Sequence, residues 1–170
     1  MIHNFELFTF TGWGVLVFFD TEEHPFTRSD LAQIPRLGAQ WKIIFDAKFG
    51  GFDDEFSQGL LLDDGGEDNV RFQLSFKSSK IRLSMWDGGG LRVTVVGDQI
   101  AKVGEWTRFE MTHKEEEDGK YFLFMSVDGK VVGKEEVSIP RMELADVQVT
   151  SFSYDGIPSG ILRRLVVLQK

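Results

Sequence analysis

Cysteine is absent from the chain. A disulfide scaffold, a thiolate zinc site and a cysteine nucleophile are therefore excluded together. Basic charge is also short, with a formal net charge of −8 at pH 7. A nucleic-acid binder draws much of its affinity from a basic face, and an anionic membrane surface asks for the same. The expectation is no nucleic acid and no membrane as partner, with part of the acidity serving only solubility. Long hydrophobic runs are missing as well. The longest, Val15 to Phe19, is far too short to span a bilayer. The segment Met1-Ile2-His3-Asn4-Phe5-Glu6 has no basic stretch followed by an apolar core, so it does not read as a signal peptide. Together with the missing cysteine, this favours a cytoplasmic location or secretion without a leader.

Helical periodicity is the next absence. No stretch sustains it, and there is no internal repeat, low-complexity tract or domain linker. What is there reads as strand. The chain has 170 residues, 42% hydrophobic and 27% charged, which suits one globular domain over residues 1–170. Sixteen phenylalanines suit a core of large flat side chains between sheets. Strands are expected at Phe5–Phe10, at Val15–Phe19 as a buried strand, and at Trp41–Phe49, with Ile43, Phe45 and Ala47 on one face. Gly59–Leu62 is a short apolar strand. Val70–Phe76, Lys80–Trp86 and Leu91–Val96 then follow in quick succession, the last two joined by the strong turn signal Asp87-Gly88-Gly89-Gly90. Trp106–His113 and Lys120–Val127 form a hairpin, and Asp128-Gly129 begins a tight turn into Lys130–Val132. Glu135–Ile139, Val147–Phe152 and Ile161–Leu168 complete the set. Residues Thr21–Ala39, with Pro25 and Pro35, read as a long connection holding one helical turn at Ser29–Gln33, capped by Ser29. Short strands at such even spacing mean an all-β sandwich or barrel.

The middle of the chain carries a resemblance. Gln58-Gly59-Leu60-Leu61-Leu62 leads to Val70-Arg71-Phe72-Gln73-Leu74 and Lys80-Ile81-Arg82-Leu83. Then come Gly104-Glu105-Trp106-Thr107-Arg108-Phe109 and Tyr121–Gly129, ending in Val127-Asp128-Gly129. This order resembles the laminin G-like and galectin-like branch of the concanavalin A-like lectin and glucanase superfamily, over roughly residues 41–133. The resemblance implies a two-sheet antiparallel β-sandwich, a jelly roll, closed by Ile161–Leu168. Its members include sugar-binding lectins, protein-binding modules and β-glucan hydrolases, so fold does not fix function. The galectin run His-x-Asn-x-Arg is absent. Of the glucanase pattern Glu-x-Asp-x-x-Glu, the nearest fragment is Glu116-Glu117-Asp118, which lies in a turn. Neither activity carries over residue by residue.

Two groups of residues are candidates for chemistry. Alternation sends Phe72, Leu74 and Phe76 to one face, with Ile81, Leu83 and Met85 to match. Arg71, Gln73, Ser75, Arg82, Ser84 and Trp86 share the opposite face. Such a face suits a sugar: arginine offers a rigid fork of donors, glutamine both donates and accepts, and a tryptophan ring covers the apolar side of a pyranose. The alternative is the plain solvated face that any half-exposed sheet has. The second group is the acidic loop, with Asp63, Asp64, Asp68 and Asn69 as oxygen donors for calcium. The resemblance makes a calcium at a loop rim plausible, although the spacing is not that of an EF-hand and Asp-Asp-Gly-Gly is ordinary turn composition.

The remaining aromatic and titratable residues look structural. The resemblance places Trp106 in the core, with Trp41 similar, and Trp13, between two glycines, reads as a plug at the sandwich end, with a loop-borne contact as the alternative. His3, His24 and His113 lie far apart with no metal spacing, and His113 is expected in water beside Lys114–Glu117. There is no Gly-x-Ser-x-Gly elbow and no phosphate loop. The expectation is a non-catalytic, lectin-like module whose partner is a glycan or glycoprotein. The alternatives are a protein-interaction or self-assembly module, forming a homo-oligomer through sheet edges, and a β-glucan hydrolase.

Overall fold

Burial along Lys80–Asp87 shows how the sheets are written. Ile81, Leu83 and Met85 are buried while Lys80 and Arg82 are exposed, the period of two that sends alternate side chains to core and solvent. The computed structural model describes residues 12–18, 22–26, 29–51, 58–64, 70–77, 80–87, 90–97, 102–137, 143–153 and 160–170. Thirteen strands and no helix lie among them: β1 (Gly14–Phe18), β2 (His24–Pro25), β3 (Ser29–Leu37), β4 (Trp41–Phe49), β5 (Gln58–Asp63), β6 (Arg71–Lys77), β7 (Lys80–Asp87), β8 (Gly90–Gly97), β9 (Thr107–Glu115), β10 (Tyr121–Val127), β11 (Lys130–Val137), β12 (Leu144–Ser153) and β13 (Gly160–Gln169).

The strands form two antiparallel sheets. One runs β1-β13-β4-β9-β10-β11, with β2 also paired to β13, and the other runs β3-β12-β5-β6-β7-β8. The edge strands β8 and β11 lie against each other along one margin of the sandwich. The core between the sheets is aromatic. Phe76 packs 4.7 Å from both Phe49 and Phe109, Phe26 stacks on Phe49 at 5.6 Å, and Trp41 meets Phe72 edge-on at 4.9 Å. Trp41 is fully buried, in line with Ile43, Phe45 and Ala47 on the inner face of β4. The tight turn at Asp128-Gly129 forms as its sequence predicts: both residues have positive φ, 48° and 79°, as a two-residue hairpin loop demands.

Four expectations are corrected. Ser29–Gln33 is not a helical turn but the start of the edge strand β3, whose Ala32 and Ile34 face Val149 and Val147 of β12. Pro35 is tolerated there because an edge strand has a flank that needs no N–H. The expected buried strand Val15–Phe19 is corrected at Val15 and Leu16, which are exposed. β1 borders the sheet with β13 as its ladder partner, and Val15 is 58% exposed. Lys130–Val132 and Glu135–Ile139 are not separate as far as Val137: one strand, β11, spans them and pairs with β10 from Tyr121 to Val127, with one register slip between Met125 and Ser126. His113 is not in water but 1% exposed, since it shares the inward parity of Phe109 and Met111 on β9. The expected strand Phe5–Phe10 lies outside the described residues.

Candidate functional site

Three cross-strand rows cover the outer face of the six-stranded sheet. The first runs Gln148, Asp63, Arg71, Trp86, Leu91 across β12, β5, β6, β7 and β8. The second runs Thr150, Leu61, Gln73, Ser84, Thr94, and the third Phe152, Gly59, Ser75, Arg82, Val96. The six residues picked out by alternation therefore do share one face. Arg71 is directly opposite Trp86, Gln73 opposite Ser84, and Ser75 opposite Arg82.

Their accessibility differs. Arg71 and Arg82 are exposed, and Gln73 and Trp86 are half-buried. Ser75 and Ser84 are buried between longer neighbours, so their hydroxyls face protein: Ser75 Oγ donates to the Arg82 carbonyl at 3.4 Å, and Ser84 Oγ lies 3.4 Å from Thr94 Oγ1. The groups that solvent can reach are two guanidinium forks, one amide and one indole. Arg71 is held in place by Asp63, with Nη2 2.9 Å from Oδ2. The arginine side chain is 48% exposed and stands directly across the ladder from Trp86. Leu91 and Val96 on β8 add exposed apolar surface at the rim of the face.

The calcium donors do not form a cage among the described residues. Asp63 is engaged by Arg71, and the buried Asp64 accepts the Ala145 N–H at 3.0 Å, tying the end of β5 to β12. Asp68 and Asn69 lie outside the described residues. No group of three His, Cys, Asp or Glu side chains suited to a metal occurs among the described ones.

Two residues read as unremarkable turn out to be singular. His113 is enclosed by Trp41 at 5.8 Å, Tyr121 at 5.2 Å and Phe72 at 6.1 Å, ring centre to ring centre. Its Nδ1 lies 2.6 Å from the Ala39 carbonyl, to which it donates, and its Nε2 is buried with no partner among the described residues. Burial lowers its pKa to about 4, against a smaller opposite push from the Ala39 hydrogen bond. Trp106 is not in the core. It has the outward parity of Arg108 and lies half-buried under two cations, Arg163 at 3.8 Å and Lys48 at 5.0 Å from the ring centre. Trp13 is half-buried with Lys42 5.6 Å from its ring, on the outer side of the sheet rather than plugging the sandwich.

Solved structures match this backbone closely. An endo-beta-1,4-glucuronan lyase from Trichoderma reesei superposes with a TM-score of 0.62 at 10% identity, over 94% of this chain and 88% of the lyase. A heptameric SAP-like pentraxin from Limulus polyphemus gives 0.58 at 11% identity, over 88% and 73%. A galectin from Caenorhabditis elegans gives 0.55 at 9% identity, over 85% and 94%. All three are concanavalin A-like jelly rolls. This chain has the same fold. No protein-family model and no curated protein matches it by sequence. At these identities the shared jelly roll is a likeness of backbone, and it hosts a lyase as readily as a galectin.

Proposed function

We propose that this jelly roll is a non-catalytic binding module that takes a carbohydrate on the outer face of β6 and β7. The observation that carries the reading is the pairing of Arg71 with Trp86, flanked by Gln73 and Arg82 on one accessible face. A pyranose presents one apolar face and a rim of hydroxyls. An indole covers the first, and forked or amide donors meet the second. Glycoside hydrolysis would need two carboxylates about 5–9.5 Å apart across a bound sugar. On the described part of this face Asp63 is paired with Arg71, and Asp30 accepts the Thr150 hydroxyl at 3.4 Å. The solved relatives by fold include galectins, and that supports the reading without fixing the sugar.

The test is a glycan array of the purified domain, run with calcium and again with EDTA. Binding is expected in both, because Arg71 and Trp86 need no metal to act. Trp86→Ala is expected to remove binding while leaving the thermal transition in place. A folded wild-type protein that binds no glycan in either condition overturns the reading. The exposed Val15 and Leu16 on the edge strand β1 favour a second reading, self-association or protein binding through that edge.

A further inference from the structure

On the outer face of the other sheet, where β13, β4 and β9 run side by side, four cations gather around one carboxylate. Asp46 is buried and held by Arg108 Nε at 2.9 Å and by Arg164 Nη1 at 3.5 Å. Arg163 is the direct ladder partner of Asp46 but makes no ion pair with it. Its guanidinium lies 3.8 Å from the centre of the Trp106 ring, and Lys48 Nζ stands 5.0 Å from the same ring. Neither Lys48 nor Arg163 has a carboxylate partner among the described residues. The Nε of Arg163 is buried and donates to no acceptor there. The nearby acids are otherwise occupied: Asp128 accepts the Arg108 backbone N–H at 2.9 Å, and Glu105 pairs with Lys102 at 3.6 Å.

The backbone is shaped for this arrangement. The register of β13 against β4 slips between Arg163 and Val166, and Arg164 has a φ of 53°. Consecutive residues of a regular strand point to opposite faces. The bulge instead sends Arg164 to Asp46 on the face that Arg163 already occupies, so one arginine neutralises the carboxylate and the other is left to the tryptophan. Beside them opens a groove of about 400 Å³, lined by Lys48, by apolar Pro25, Phe49 and Ile161, and by Gly104 and Gly160. Lys48 belongs to both, and its ladder partner is Ile161.

We infer that this corner binds a small organic carboxylate, of the size of an acidic monosaccharide, with its carboxylate on Arg163 and Lys48 and its carbon skeleton in the groove. A guanidinium held against an indole has lost part of its rotamer freedom and is weakly hydrated, so it presents a pre-organised fork to a planar oxyanion. A neutral sugar leaves both cations without a counter-charge. A bare inorganic anion leaves the apolar lining uncovered. In a chain of net charge −8, attraction of an anion is a local effect of this corner and is screened by salt. The site lies on the sheet opposite to the Trp86 face and stands independently of the carbohydrate reading.

Calorimetric titration of the whole chain with glucuronate at low salt tests the assignment. Binding is expected, weakened about tenfold or more by Arg163→Gln and by raising salt to about 0.5 M, and unchanged by Trp86→Ala. If Arg163→Gln fails to melt like the wild type, Lys48→Gln carries the same test from outside the bulge. Absence of glucuronate binding overturns the proposal, as does binding that survives both substitutions. Competition by sulfate as strong as by glucuronate overturns the organic ligand, and equal competition by glucose overturns the role of the carboxylate.

Discussion

His113 is the residue whose surroundings give the sharpest pH prediction. Its folded pKa of about 4 is below the ordinary value of 6.5, because burial among aromatic rings penalises the imidazolium. The unfolded chain therefore binds a proton between these values that the native state refuses. Its contribution is complete above pH 6.5 and is lost as pH falls toward 4, for a total of roughly 3 kcal/mol. Denaturant unfolding at pH 7 and pH 5 is expected to show about 2 kcal/mol of this loss in the wild type, and His113→Leu is expected to flatten the difference while lowering stability at pH 7. A slope that survives the substitution assigns the effect to other groups. The burial of His113 was legible in principle: Thr107, Phe109, Met111 and His113 alternate, and parity sends all four inward. The charged run that follows it drew attention to solvent instead. Parity also marks Trp106 as outward, two residues before Arg108, where resemblance alone argued for the core. The placement of Arg71, Gln73, Arg82 and Trp86 on one face followed from parity. The burial of Ser75 and Ser84 did not, because it depends on the bulk of neighbours across three strands.

At the scale of elements, turns and most strands were readable, and the edge strand β3 was not. Asp128-Gly129 and the run from β6 to β8 are specified locally, by turn chemistry and alternation. β3 looked like a connection because its proline and polar residues are typical of loops. It becomes a strand only when β12, more than a hundred residues later, supplies its partner. Where β11 approaches β8, Gly133 leaves no room for a side chain, as a Cβ there would collide with Val95 Cγ1. Gly133→Ala is expected to destabilise by about 1–3 kcal/mol, read as a lower denaturation midpoint with the slope unchanged. The β1 edge leads to the opposite kind of prediction. Val15→Lys combined with Leu16→Lys replaces exposed side chains, so stability is expected to stay within about 0.5 kcal/mol. Any self-association seen by light scattering is expected to disappear, since charge on an edge strand opposes pairing.

The order of strands in the two sheets could not be read from the sequence, because it is fixed by contacts between distant segments. β13 is the clearest case. It is the last strand in sequence, yet it lies between β4 on one side and β1 and β2 on the other. Its inner face contributes Leu162, Leu165 and Val167, and Leu168 is buried as well. At about 1.5–3 kcal/mol for each buried aliphatic side chain, these four are worth about 6–12 kcal/mol, comparable to the entire stability of a domain, about 5–15 kcal/mol. The ladder bonds to β1 and β4 would be lost with them, and the edge of β4 would be opened to other chains. A chain ending at Ser159 is therefore expected to show no cooperative thermal transition and to aggregate, where the whole chain melts in one step. Adding a synthetic peptide of residues 160–170 is expected to restore the transition in part, since the segments that pair with it, β1, β2 and β4, are all present in the shortened chain. A truncated chain that melts cooperatively without the peptide would show that β13 covers a sheet already formed rather than completing it.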